Sequence, residues 1–192
     1  MRFRRRREKT TDYNQRLALI KSGKPRIVIR RSLKDIRIQI ISFSEGGDVT
    51  AAEKTSKTLA KYGWNYHCGN TPAAYLTGYL AGAEALSKGI KEAVVDIGIQ
   101  DSVKGSVLYA AALGAKDAGI KINLGKEVLP SRERISGKHI AEYAALIRNT
   151  HKYQKQFSSY LKNGTEPERI VDTFEHVKKE ITQEFSPAKE AF

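Results

Sequence analysis

The chain has 192 residues, 40% of them apolar, and a formal charge of +13, which suits one domain with extensions around a real core. No apolar run approaches the length of a membrane span, the basic N-terminus lacks the apolar segment of a secretory signal, and the single Cys68 allows no intramolecular disulfide. Together these features point to a soluble cytoplasmic protein, and the basic balance favours RNA, DNA or an anionic membrane surface as partner.

The charge is unevenly spread. Residues 1–31 hold twelve Lys/Arg against Glu8 and Asp12, whereas residues 32–192 hold twenty-two against nineteen. The run Arg2-Phe3-Arg4-Arg5-Arg6-Arg7-Glu8-Lys9 is therefore an arm. As an isolated coil it repels itself and needs a polyanion to order it. Arginine's planar fork bonds two phosphate oxygens at once, so nucleic acid is the first reading, ahead of a solvated tail.

Next, Asp12 and Gln15 have the spacing of a capping box, and Tyr13, Leu17 and Ile20 form an apolar stripe at helical spacing that should dock on the body. Gly23 and Pro25 end that helix. Arg26–Ser32 and Ile36–Phe43 read as a hairpin, because Ile36, Ile38 and Ile40 alternate with Arg37, Gln39 and Ile41. After Gly46-Gly47 a third strand is expected over 48–53, then one or two helical turns over 55–62 ended by Gly63. Trp64, Tyr66, His67 and Cys68 lie in an irregular segment. Trp64 is weighed almost evenly between core packing and stacking on a base.

From Asn70 the pattern changes to alternating helix and strand. Thr71-Pro72 starts a helix running to about Lys88. Gly78 and Gly82, one turn apart on it, predict close approach of another backbone, taken here to be the sheet. Residues 93–99 predict a buried strand, 106–118 a small-residue helix, 120–124 another strand, and 136–148 a helix after a polar connection. Residues 151–192 are neutral, with seven bases and seven acids. There Ile170, Phe174, Val177 and Ile181 are spaced to pack on the body or on a neighbour. The fold class predicted is α/β, a mixed sheet with packed helices, and the organisation is a basic arm and short helix (1–24), a body (25–150) and a helical extension (151–192).

Catalytic signals are weak. Asp96 and Asp101 flank a strand end, where metal-dependent nucleases keep carboxylates, but no third or fourth joins them. No phosphate-binding glycine loop is present. His67-Cys68 has no second cysteine to make a metal site, so a structural cysteine beside a satisfied histidine is the better reading. A metal-dependent nuclease or nucleotide-binding enzyme is the alternative function.

Several segments are familiar when taken in order. They are Arg4-Arg5-Arg6-Arg7-Glu8, Thr11-Asp12-Tyr13, Gln15-Arg16-Leu17, Leu19 to Arg26, Tyr62-Gly63-Trp64, Thr71-Pro72-Ala73-Ala74-Tyr75-Leu76-Thr77-Gly78, Asp96-Ile97-Gly98 and His139-Ile140-Ala141-Glu142-Tyr143. Over roughly residues 4–148 the chain resembles the archaeal large-subunit ribosomal proteins numbered eighteen, counterparts of the eukaryotic ones numbered five. The resemblance implies 5S ribosomal RNA as partner and a place in the central protuberance. It also implies contacts with the large ribosomal RNA and with the large-subunit protein numbered five in bacteria. It implies a sheet related to that of ribonuclease H, without enzymatic activity, and no cofactor, metal, small-molecule substrate or membrane. Carried over as RNA-contacting are Arg4, Arg5, Arg6, Arg7, Arg16, Lys21, Lys24 and Arg26. Arg2, Lys9, Arg30, Arg31 and Arg37 are added on charge and position, and Trp64 as a stacking ring.

Overall fold

The computed structural model describes residues 3–185. Arg2 lies outside them. A four-stranded sheet runs in the order β3-β2-β1-β4. β1 (Arg26–Arg31), β2 (Ile36–Ser44) and β3 (Gly47–Thr55) form an antiparallel meander, and the short β4 (Val94–Asp96) lies parallel to β1. A 3-10 segment over Ser56–Tyr62 ends at Gly63, in the left-handed region at φ 89°. The strand period of two sends Ile27, Ile29, Ile36, Ile38 and Ile40 to one face, where all are fully buried. Beyond Ile40 the register shifts, so Ile41 pairs with Thr50 while Ile40 pairs with Ala52.

Helix α3 (Thr71–Ser87) and α4 (Val107–Asp117) cover that face. Asn70 caps α3 by accepting from the Ala73 N–H at 2.9 Å, with Pro72 in the first turn. The close approach marked by the glycines is real, but it is between two helices and not onto the sheet. A Cβ on Gly78 would lie 1.9 Å from the Ala111 carbonyl oxygen, and one on Gly114 2.0 Å from that of Tyr75. Removing side chains from both helices lets their backbones touch. Gly78→Ala should therefore destabilise the fold by about 1–3 kcal/mol through overpacking. Chemical denaturation measures this; a midpoint unchanged from wild type would mean that the two helices can separate freely.

Two further expectations change. Residues 120–124 form no strand: Lys121 makes only an isolated parallel bridge to Glu92. Ile120 and Ile122 are nonetheless buried, because apolar alternation reports burial and not a hydrogen-bond ladder. The helix expected over 136–148 forms as α6 (Lys138–Ile147), but the polar connection before it holds a further short helix, α5 (Arg132–Ser136), the two parted at Gly137, whose φ is 85°.

The C-terminal part packs on the chain's own body. α7 (His151–Gln156) and α8 (Ser158–Lys162) lead to α9 (Ile170–Phe185), which lies against α3. Ile170, Phe174, Val177 and Ile181 are all buried and join the main core. Burial stabilises each by about 1.5–3 kcal/mol. Phe157, Ala144 and Ile147 form a small second cluster.

Candidate nucleic-acid interface

The arm is partly helical. α1 (Arg4–Arg7) is a single helical turn, and its four arginines are exposed. The chain then folds back. Phe3 packs on Tyr13 with ring centroids 5.5 Å apart, and Arg5 Nε donates to Thr11 Oγ1 at 2.9 Å. α2 (Tyr13–Lys21) follows, capped by Asp12, which accepts from the N–H groups of Asn14 and Gln15. Its docking side keeps Tyr13 and Ile20 of the predicted stripe half-buried but not Leu17. Leu17 is 53% exposed, while Arg16 and Leu19 face the sheet. An ion pair joins the apolar contacts of the helix: Arg16 Nη2 meets Asp48 Oδ2 at 2.8 Å.

α1 and α2 and the outer face of the sheet enclose a cleft of about 370 Å³, with Arg5, Arg16, Arg26, Val28, Arg30 and Asp96 in its lining. Its floor follows from strand geometry. Arg26, Val28 and Arg30 share one face of β1 by the period of two. Parallel pairing sets Asp96 opposite Val28, between the two arginines. Asp96 accepts from Arg26 at 3.1 Å and from Arg30 at 2.9 Å, and Asp48 accepts from Arg26 at 2.6 Å. The Gly98 N–H also donates to Asp96, and Gly98, at φ 65°, packs so closely on Arg30 that a Cβ there would lie 2.9 Å from the guanidinium carbon. Three guanidiniums against two carboxylates leave the network positive.

This placement divides the predicted basic residues. Arg26 is only 4% exposed and held by two carboxylates, so it supports the sheet and is not free to meet a phosphate. Arg16 and Arg30 are half-exposed at the cleft; Arg16 meets Asp48 alone, whereas Arg30 bonds Asp96 and the carbonyls of Ile29 and Asp96 through both Nη atoms. Lys24 pairs with Glu92 at 2.7 Å, and that hydrogen bond holds the Glu92 carboxyl below its usual range. Arg37 lies 3.5 Å from Glu53, and Arg4 3.7 Å from Glu8, both at the surface, where such pairs hold little. Among the described residues, Arg5, Arg6, Arg7, Lys9, Lys21 and Arg31 have no carboxylate partner within 4 Å.

Trp64 does not offer a stacking surface. It is 2% exposed and packs against Tyr66 in the core. The irregular backbone around it carries a buried ring, because Gly63 turns the chain inward after the 3-10 segment. Cys68 is partly buried, which pushes its thiol up, and His67 Nδ1 accepts from the Gly69 N–H. Asp48 and Asp96 are the residues that sequence reasoning missed as partners of the arginines. The available signal was Arg26 and Arg30 on one face of a strand, charges that need counter-charges wherever that face is covered. Asp96, weighed with Asp101 as a catalytic carboxylate and set aside, has both oxygens engaged by arginine, while Asp101 is exposed.

A family model described as ribosomal large subunit proteins 60S L5 and 50S L18 matches residues 1–94. The chain is 49% identical over 182 residues to the large ribosomal subunit protein uL18 of Korarchaeum cryptofilum, covering 95% of this chain and 93% of that protein. It is 46% identical over 180 residues to the uL18 of Methanococcus maripaludis, covering 93% of each.

Proposed function

Because the chain belongs to the family of ribosomal large-subunit proteins 60S L5 and 50S L18, we propose that its arm and the cleft beneath it bind 5S ribosomal RNA. The family makes it a structural constituent of the large ribosomal subunit, associated with ribosomal RNA and ribosomal proteins, and not an enzyme. The finer reading is that it attaches 5S RNA to the large ribosomal RNA in the central protuberance, beside the protein numbered five in bacteria. Residues 1–24 serve as the RNA-binding arm, 25–150 as the body that presents it, and 151–192 as an extension.

The observation that carries this reading is the line of exposed, unpartnered cations from Arg5 to Lys9, set over a cleft whose own network is positive. Phosphate contacts of this kind supply affinity and position, while the shape of a folded RNA supplies identity. Arg16 keeps an edge for a phosphate that enters the cleft, while Arg30, bonded through both Nη atoms, lends its charge from the floor.

The test is a competition titration at fixed salt. Labelled 5S RNA on the full chain is challenged with unlabelled 5S RNA and with transfer RNA of comparable charge. A preference of tenfold or more for 5S RNA is expected, equivalent to about 1.4 kcal/mol. Equal competition by the two RNAs would reduce the protein to a general polyanion binder.

A further inference from the structure

The C-terminal part is neutral only because two unlike halves cancel. Residues 151–165 hold Lys152, Lys155 and Lys162 and no acid, whereas residues 166–192 hold four bases and seven acids. The three lysines are exposed, and among the described residues none has a carboxylate within 4 Å. The acids that flank this stretch in sequence are already engaged. Glu142 lies 3.7 Å from Lys138, and Glu168 accepts from the Tyr153 hydroxyl at 3.0 Å.

The lysines border a cleft of about 380 Å³ between α6 and the α7–α8 segment, with His67, His139, Tyr143, Gln156, Phe157 and Tyr160 in its lining. Clefts that hold small ligands run from about 300 to 1,000 Å³. Helical spacing of four sets Lys152 on the face of Gln156, and spacing of three sets Lys162 on that of Ser159, which also lines the cleft. The wall is aromatic: the Phe157 ring centroid lies 6.3 Å from that of Tyr143 and 5.9 Å from that of Tyr160. Phe157 is anchored in the small second cluster and Tyr160 packs on Tyr66, so the wall is fixed, while Tyr143 stays 45% exposed. The rim is polar. His67 Nδ1 accepts from the Gly69 N–H at 3.0 Å, which leaves the ring's proton on Nε2 as a donor, and Gln156 adds an amide that both donates and accepts.

Exposed rings alone would suit any apolar partner. Rings bordered by unpaired lysines and hydrogen-bonding side chains suit a nucleotide, whose base stacks while its phosphates meet the cations. We propose that this cleft takes one unpaired base of ribosomal RNA, stacked on Tyr143, with His67 Nε2 and Gln156 bonding its edge and Lys152, Lys155 and Lys162 meeting the flanking phosphates. The proposal uses none of the arm's residues. It rests on membership of a ribosomal family and not on the 5S reading.

The full chain, labelled with 15N, is titrated with the single-stranded tetranucleotide ApApApA and separately with a tetranucleotide of the same charge that lacks its bases, at constant ionic strength. The amide resonances of Tyr143, Gln156 and Ser159 should move saturably with the first probe, and the abasic probe should bind at least tenfold more weakly. The dissociation constant read at these amides should rise tenfold or more in Tyr143→Leu, which keeps an apolar side chain but removes the ring. It should rise fivefold or more in Lys152→Gln/Lys155→Gln, whose side chains are exposed, and stay within twofold in Arg6→Gln/Arg7→Gln. No saturable movement, equal binding of the abasic probe, or an unchanged constant in Tyr143→Leu overturns the proposal. Movement of the same resonances with protein concentration in the absence of RNA would show that a second copy covers the rings, and overturns it as well. These shifts are read at α6–α8 with a short probe, so failure of the 5S reading leaves them standing.

Discussion

Replacing Asp96 with alanine should cost about 3–5 kcal/mol of folding stability, the usual consequence of orphaning a buried charge. The side chains of Asp96 and Arg26 are 7% and 5% exposed. Without the carboxylate, Arg26 keeps only Asp48, and Arg30 keeps only the backbone carbonyls of Ile29 and Asp96. The remaining Arg26–Asp48 contact places the expected loss toward the lower end of that range. Asp48→Ala should cost less, because Asp48 is a quarter exposed and its partner Arg16 is open to solvent. The decisive comparison is the double variant Arg26→Met/Asp96→Leu, which removes both charges of the buried pair. It should recover much of the loss, since an apolar pair of similar volume is often neutral against a buried ion pair. Urea denaturation of the three variants measures this. A single variant Asp96→Ala within 1 kcal/mol of wild type would mean that the network is ornamental.

Changing Arg4, Arg5, Arg6 and Arg7 together to glutamine should weaken 5S RNA binding roughly a thousandfold near physiological salt. Each phosphate neutralised contributes about −0.9 to the slope of log K against log salt. About six contacts from the arm and cleft would give wild type a slope of roughly −5, and losing four of them would flatten it by between 3 and 4. That difference, carried from molar salt to about 0.15 M, yields the thousandfold loss. The side chains are exposed and make no contact with the core, so the body should unfold as wild type does. The measurement is a filter-binding titration across salt concentrations. A variant with an unchanged slope would place the principal phosphate contacts elsewhere on the molecule.

Much of the fold was legible because local chemistry forces it. The alternation of Ile36, Ile38 and Ile40 requires a strand with one apolar face, and all three are buried where that alternation puts them. Asn70, Thr71 and Pro72 permit a helix start and little else, and α3 begins there. The stripe from Ile170 to Ile181 required a helix with a covered face, but its period is the same whether the cover is this chain or another. The strand expected over 120–124 failed for a related reason: burial was readable at Ile120 and Ile122, and backbone pairing was not.

By itself, then, the sequence determined the basic arm, the meander, the helices that bury one face of the sheet and the family to which the chain belongs. Charge excess and apolar period are properties of neighbouring residues, and they survive without knowledge of the fold. Which charges remain free was decided only by tertiary structure. Arg26 and Arg6 are alike as residues, yet one is locked between Asp48 and Asp96 while the other has no carboxylate partner among the described residues. Gly78 announced a close contact but not its partner, which proved to be Ala111 on α4. Trp64 was divided between base and core until Gly63 turned it inward. The physical reason is common to all three. A guanidinium, a bare backbone and an indole ring each have several satisfactory partners, and the choice falls to residues distant in sequence that only the folded chain brings near.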